Sequence, residues 1–121
     1  MGQPIKSYKD LIAWQKGMVL VKLVYRWSQG MPSEEKFGLT NQMRRAAVSI
    51  PSNIAEGYGR GTRADYVRSL RIARGSLYEL DTQVRAASML EMLTENAELR
   101  ASLDEEDRVL QGLINSLEKP E

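Results

Sequence analysis

Apolar residues recur at steps of three and four along almost the whole chain, and this spacing restricts the fold more than any other feature. The pattern is clearest after position 62. The apolar stripe there consists of Tyr66, Leu70, Ala73, Leu77, Leu80, Val84 and Ala87. Strand signals are nearly absent, since no stretch alternates apolar with polar residues and no Asn-Gly or Asp-Gly turn occurs. The sequence therefore predicts an all-α protein.

Helix start and stop signals divide this pattern into four amphipathic segments. They lie roughly at 8–29, 34–57, 63–91 and 95–118. Ser7 with Asp10, and Thr62 with Asp65, match the capping-box pattern at the first and third starts, and Thr94 is the expected cap of the fourth. Four amphipathic helices joined by short loops predict an up-down-up-down four-helix bundle, in a single domain covering residues 1–121.

Pro51 lies inside the apolar spacing of the second segment, where a proline removes a backbone hydrogen bond and costs ~3 kcal/mol. The helix either ends at Ile50 or continues with a bend. Because Ile54 and Ala55 keep the apolar spacing, we expect a proline-kinked second helix. Gly57 is expected to end it in a left-handed conformation. The following "GYGRGT" is interpreted as a corner between helices, because a phosphate-binding glycine loop would follow a strand.

The first segment is apolar on more than one face. One stripe consists of Leu11, Trp14, Met18, Val21 and Tyr25, and a second of Ile12, Val19, Leu23 and Trp27. A helix that is apolar on two sides packs on both, and a bundle this small cannot cover both sides itself. The sequence therefore predicts a homo-oligomer, with Trp14, Tyr25 and Trp27 as candidate interface residues.

The composition argues against catalysis. The chain has no cysteine and no histidine, so it lacks thiolate nucleophiles, thiolate metal ligands and the commonest general base. The carboxylates of Glu56, Glu79 and Asp81 have no histidine to complete a bundle-core metal site. We expect no enzyme, no cofactor and no metal site. No segment approaches the ~20 apolar residues of a membrane span, and a cytoplasmic location is the simplest interpretation.

Arginines dominate the middle of the chain. Nine basic residues face four acidic ones between positions 36 and 85, whereas nine acidic residues face three basic ones from position 86 onward. Arg68 and Arg71 project opposite the apolar stripe of the third helix, with Arg74 on its flank, and Arg60 and Arg63 lie near its start. Arginine binds phosphate well, so nucleic-acid binding is one interpretation. The alternative is that these arginines pair with the acidic fourth helix, including Asp104 to Asp107.

Three stretches are similar to a known family. They read "YKDLIAWQKGMVLVKLVY", "FGLTNQMRRAAVSIPSNIAEGYGRGT" and "YVRSLRIARGSLYELDTQV". The chain resembles, from Tyr8 to Leu117, the bacterial four-helix-bundle family of 23S rRNA intervening-sequence proteins. By position, Arg44, Arg45 and Arg60 match the arginines of that family. Its structural signature is matched by Pro51, Asn53, Glu56 and Gly57.

This resemblance implies a ring-like homopentamer. It also implies a structural relationship to the accessory variability determinant protein of diversity-generating retroelements, which uses a basic pentamer surface to bind nucleic acid and its reverse transcriptase. The expected partners are therefore further copies of the chain, RNA or DNA, and a reverse transcriptase or another protein. The candidate nucleic-acid-binding residues are Arg44, Arg45, Arg60, Arg63, Arg68, Arg71 and Arg74. A protein-interaction scaffold is the alternative function.

Overall fold

The computed structural model describes residues 4–120, so the outer limits of the predicted 1–121 domain lie outside the described residues. Four long helices occupy most of this range, and none of residues 4–120 forms a strand. The helices are α1 at Ile12–Ser28, α2 at Leu39–Gly59, α3 at Arg63–Met89 and α4 at Ala97–Glu118. Short 3-10 turns at Tyr8–Asp10 and Ser33–Glu35 precede α1 and α2.

The four helices pack around one apolar core. Each helix contacts the next in chain order, and α4 also contacts α1, which closes the bundle. All four helices contribute large side chains that are fully buried. Among them are Leu20, Val24, Met43, Ile50, Ile54, Leu70, Leu77, Leu80, Val84, Leu99 and Leu110. The prediction of an all-α four-helix bundle is confirmed, whereas the up-down-up-down arrangement stays a prediction.

Polar side chains set where the first and third helical segments begin. Ser7 Oγ accepts the Lys9 N–H at 3.2 Å, and Asp10 Oδ2 accepts the Ser7 N–H at 3.1 Å. This is the predicted capping box, but it closes a 3-10 turn, and α1 itself begins only at Ile12. Thr62 Oγ1 accepts the Asp65 N–H at 3.2 Å at the start of α3.

The other two helices begin later than the spacing predicted. The Glu35 carboxylate accepts the Leu39 N–H at 3.0 Å, so α2 starts after the turn that contains the expected start. Asn96 Oδ1 accepts the Leu99 N–H at 3.0 Å and caps α4. The prediction of Thr94 as this cap was wrong. Its carbonyl instead accepts a hydrogen bond of 2.9 Å from the Trp27 indole.

The buried face of α1 differs from both predicted stripes. Its buried residues are Ala13, Gly17, Leu20, Val24 and Ser28. Three of these five are small and carry little apolar signal, so they allow close helix packing without marking it in the sequence. The larger residues at Met18 and Tyr25 are exposed instead.

The second helix continues through Pro51, which is buried in its interior. Proline has no amide hydrogen, so the Ala47 carbonyl lacks the helical donor four residues on. The bend expected at Pro51 stays a prediction. Gly57 lies within α2, so its prediction as a left-handed cap was wrong. Among the glycines of residues 4–120, the left-handed one is Gly61, with φ of 86°. Gly57 lets α3 approach closely, because a Cβ there would lie 2.4 Å from the Ser69 Cβ.

Candidate nucleic-acid interface

A cleft of about 870 Å³ lies between the start of α3 and the end of α4. Its charged lining residues are Arg63, Arg68, Arg71, Lys119 and Glu118, and its apolar lining residues are Ala64, Val67, Ile72, Leu117 and Pro120. We call this cleft the basic groove. Four cations and one carboxylate give it a net positive charge, which suits it to the phosphates of a polyanion.

The helix period explains why these arginines meet in one groove. Val67 and Leu70 turn into the core, so Arg68 and Arg71 point outward on the neighbouring positions. Both are exposed. Arg71 pairs with Glu118, whereas Arg68 makes no hydrogen bond or ion pair within residues 4–120. The groove therefore offers at least one guanidinium that needs no intrachain bond to be broken.

Arg74 is placed differently from Arg68 and Arg71. Its Nε lies 3.1 Å from Asp107 Oδ1, and its Nη2 donates to the Tyr78 hydroxyl at 2.6 Å. The hydrogen bond that Arg74 donates to Asp107 raises the pKa of Arg74 above its ordinary value. Arg74 thus connects α3 to α4, which is the pairing with the acidic fourth helix that the sequence left open.

The arginines of α2 and the α2–α3 corner lie away from the basic groove. Arg44 stacks over the Tyr25 ring at 4.7 Å and donates to Ser28 Oγ at 2.9 Å. Arg45 is exposed and makes no ion pair or hydrogen bond in the part of the chain that the structure describes. Arg60 pairs with Glu56 at 3.2 Å. The structure therefore brings together three of the seven candidate arginines.

A second cleft, of about 480 Å³, collects most of the residues that carry the family resemblance. It is lined by Tyr25, Arg44, Arg45, Val48, Ser49, Ser52, Asn53 and Glu56. Asn53 Nδ2 donates to the Ser49 carbonyl at 2.7 Å, one turn earlier in α2. The signature residues Asn53 and Glu56 thus bond within their own helix.

Next to this cleft is an exposed apolar surface on α1 and α2, here called the α1–α2 face. It is lined by Tyr8, Trp14, Met18, Val21, Val48, Pro51, Ser52 and Ala55. Met18 is 44% exposed and Val48 is 41% exposed. The Tyr8 and Trp14 rings meet edge-to-face at 5.3 Å. Of the candidate interface residues, Trp14 lies on this face, Tyr25 borders it through Val48, and Trp27 is elsewhere, bonded to Thr94.

The acidic fourth helix is joined to its neighbours by several ion pairs. Arg100 binds Glu95 and lies 2.8 Å from Asp81 Oδ1. Burial acts to raise the pKa of Asp81, but the hydrogen bond and charge of Arg100, together with Arg85, outweigh it and lower that pKa. On the other side, Lys16 Nζ lies 2.6 Å from Glu105. These ion pairs neutralise part of the negative charge in and around α4.

Glu106 is the residue that sequence reasoning missed. It is 0% exposed, and neither carboxyl oxygen has a hydrogen-bond partner within residues 4–120. Burial, opposed by the charge of Lys16, raises its pKa to about 8. The spacing of Leu99, Leu103 and Leu110 leaves one core position empty, and Glu106 fills it. That gap in the heptad pattern was the signal that could have identified it.

Within residues 4–120, no helix has the length and apolar character needed to cross a membrane. No group of three or more acidic side chains in this part of the chain is arranged to hold a metal ion. The described residues do form a basic groove and, at a different place, an exposed apolar face.

Comparison with known proteins places this architecture among its relatives. The model of the 23S rRNA-intervening sequence protein family matches residues 9–112. A solved structure from the S23 ribosomal protein family of Bacteroides thetaiotaomicron, a protein described as having unknown function, superimposes with a TM-score of 0.77. It is 20% identical in sequence, and the match covers 86% of this chain and 96% of that chain. At that identity the likeness supports the fold alone. No curated protein matches the chain.

Proposed function

The chain belongs to the 23S rRNA-intervening sequence protein family, and we propose that it is a cytoplasmic, non-enzymatic protein that binds RNA or DNA through its basic groove. One observation carries this proposal. Arg63, Arg68, Arg71 and Lys119 line a single cleft in which Glu118 is the one lining carboxylate among residues 4–120. Guanidinium groups bind phosphate oxygens in a fork geometry, so such a groove suits a nucleic-acid backbone.

Binding of this kind is independent of sequence. Each phosphate that a lysine or arginine neutralises releases counterions, and the affinity therefore falls steeply as salt rises. The lining residues Val67, Ile72 and Leu117 are apolar, so they add no negative charge between the cations of the groove. The whole-chain charge of +1 does not oppose this proposal, because the acidic residues are concentrated on α4, where Asp107 pairs with Arg74, Asp104 with Arg100 and Glu105 with Lys16.

We further propose that the protein assembles with copies of itself through the α1–α2 face, in a homopentamer. A monomer leaves Met18 and Val48 exposed on this face, and Tyr25, which borders it, is exposed as well. A ring of copies would repeat the basic groove around its surface, and repeated weak phosphate contacts add to a higher overall affinity.

A protein-interaction scaffold is the second candidate function. It is favoured by the ion pairs of Arg60 with Glu56, Arg71 with Glu118 and Arg74 with Asp107, which use arginines within the chain. Under this alternative, the exposed α1–α2 face binds a different protein, for example a reverse transcriptase. Digestion with nuclease during co-purification separates the two functions, because only a partner bridged by nucleic acid is then lost.

Fluorescence anisotropy tests the main proposal directly. Wild type and the variant R68A/R71A are titrated into labelled structured RNA and duplex DNA at about 0.15 M salt. K22A/R26A is the matched control, since it also removes two exposed cations, both from α1. The proposal expects R68A/R71A to bind at least tenfold more weakly and K22A/R26A to bind nearly as wild type. Equal affinity of all three proteins would overturn it.

A further inference from the structure

A separate polar cleft lies between the first turns of α2 and the second half of α3. Its volume is about 380 Å³, within the ~300–1,000 Å³ of small-ligand sites. Its lining residues are Phe37, Asn41, Gln42, Arg45, Glu79 and Gln83. We call it the amide cleft, because three of the six side chains are Asn or Gln amides.

The polar side chains of the amide cleft have no partners among the residues that the structure describes. None of the five forms a hydrogen bond or an ion pair with any residue of the described range 4–120. Arg45 and Glu79, although opposite in charge, do not pair with each other. Four of the five side chains are exposed, so a ligand can replace the water that they bind, and only Gln83 is buried. Five unpartnered polar groups around one cleft therefore form a surface with unused hydrogen-bonding capacity.

Gln83 makes this point most strongly. The residue is 8% exposed, and its Oε1 is buried without a donor. A buried amide oxygen without a hydrogen bond costs about 1–3 kcal/mol. Its amide group can rotate about the last side-chain bond, so a ligand in the cleft could supply the missing donor.

Phe37 supplies the other half of the site. The residue is 86% exposed, the largest exposed fraction of any large hydrophobic side chain in the described residues. Lys36 Nζ lies 5.5 Å from the centre of its ring. The cleft thus has a flat aromatic face at its edge, a cation beside that face, and amide, carboxylate and guanidinium groups along its wall.

We propose that the amide cleft binds a single unpaired nucleobase. A base has a flat face that stacks on an aromatic ring and an edge with both donors and acceptors. A single Asn or Gln amide forms two hydrogen bonds with adenine, and an arginine forms two with guanine. A carboxylate accepts a hydrogen bond from the amino group of cytosine. A base inside a duplex cannot present its face and its edge together, so the ligand is a nucleotide of a single-stranded segment. The inference rests on the proposed function, because the base enters with its strand.

Titration with free nucleotides tests base binding in the amide cleft separately from strand binding in the basic groove. Backbone amide shifts of labelled protein are followed by NMR during titration with each of the four nucleoside monophosphates, and with ribose 5-phosphate as the base-free control. The inference expects shifts at residues 37–45 and 79–83 with at least one nucleotide, and none there with ribose 5-phosphate. Equal shifts with both ligands would mean that the cleft takes an anion only and would overturn it.

Phe37 provides the matched variants. F37A is expected to weaken nucleotide binding about tenfold or more, because base–aromatic stacking is lost. F37W keeps a stacking face and is expected to retain binding. Both changes are at an exposed position and leave the core intact, so unaltered circular dichroism is expected for both. If F37A binds nucleotides as wild type does, the base site is ruled out.

One comparison separates failure of the site from failure of the proposed function. Single-stranded oligonucleotides with and without bases are titrated into wild type, F37A and R68A/R71A. If the function holds and the base site does not, R68A/R71A loses affinity while F37A and the abasic strand behave as their references. If both hold, F37A and base removal weaken binding to a similar extent. If the function fails and the base site holds, R68A/R71A binds as wild type while F37A and base removal still weaken binding.

Discussion

The carboxyl group of Glu106 lies directly against the backbone of Gly17. A Cβ built on Gly17 would lie 2.8 Å from Glu106 Oε2 and 3.4 Å from the Pro51 Cβ. The contact brings α1, α2 and α4 together at one point in the core. The missing side chain of Gly17 therefore leaves the space between the buried acid and the Pro51 ring.

Replacing Gly17 is predicted to destabilise the bundle. G17A gains helix propensity but forces the Glu106 carboxyl or the helices apart, so we expect a net loss of about 1–2 kcal/mol in the free energy of unfolding. G75A is the control, because no atom lies within 4 Å of a Cβ there; it should gain about 0.5–1 kcal/mol. Urea unfolding measures both. Equal effects of the two changes would contradict the described contact.

Stability should fall with rising pH because of Glu106. Its pKa rises from 4.5 to about 8 in the folded protein. Between these values the folded state holds a proton that the unfolded state has lost, so the free energy of unfolding falls by up to about 1.4 kcal/mol per pH unit. The contribution is complete below pH 4.5 and is lost as the pH rises through 8.

Glu106→Gln is the comparison that isolates this effect, because glutamine is neutral throughout. The stability difference between wild type and E106Q is measured by denaturant unfolding at pH 5.5, 6.5 and 7.5. We expect wild type to become steadily less stable relative to E106Q as the pH rises. A difference that stays constant over this range would show that Glu106 does not change its protonation on unfolding.

Arg100 should matter more than Arg85, although both lie next to Asp81. Arg100 also binds Glu95, and its side chain is 21% exposed, whereas that of Arg85 is 64% exposed. R100A leaves the partly buried Glu95 without its partner and Asp81 with Arg85 alone, and should cost about 1–3 kcal/mol. R85A removes an exposed pair one helical turn apart and should cost less than about 0.5 kcal/mol. Thermal or denaturant unfolding of the two variants distinguishes these values.

Self-association is predicted to depend on the α1–α2 face. M18E places a charge on that face and should reduce the sedimentation coefficient toward that of a monomer while the circular dichroism stays helical. M89E puts the same charge at an exposed apolar position at the end of α3 and should leave the assembly unchanged. A wild-type protein that sediments as a folded monomer at micromolar concentration would rule out the homo-oligomer.

The sequence predicted α2, α3 and α4 better than α1. The α3 stripe from Leu70 to Ala87 is large, regular and clearly amphipathic, so its buried face was correct. On α1 the core positions include Gly17 and Ser28, which apolar spacing does not recognise, while Met18 and Tyr25 gave a strong but misleading signal. Small residues are buried where two helices pack closely, and the spacing within one helix does not show where its neighbours will lie.

The sequence predicted an arginine-rich surface on α3, but it did not predict which of the arginines line the basic groove. Spacing placed Arg68 and Arg71 on the outer side of α3, and both line the basic groove. Whether an arginine also pairs within the chain depends on which residue of another helix lies opposite. Arg74 meets Asp107, which is 33 positions away, and local periodicity carries no information on such a contact.

The salt dependence of binding tests the central claim most directly. The association constant for a single-stranded RNA is measured from 50 to 300 mM salt for wild type, R68A/R71A and K22A/R26A, and its logarithm is plotted against the logarithm of salt concentration. We predict a steep negative slope for wild type. The magnitude of this slope should be smaller by about two units in R68A/R71A and nearly unchanged in K22A/R26A. Identical slopes for wild type and R68A/R71A would contradict phosphate binding in the basic groove.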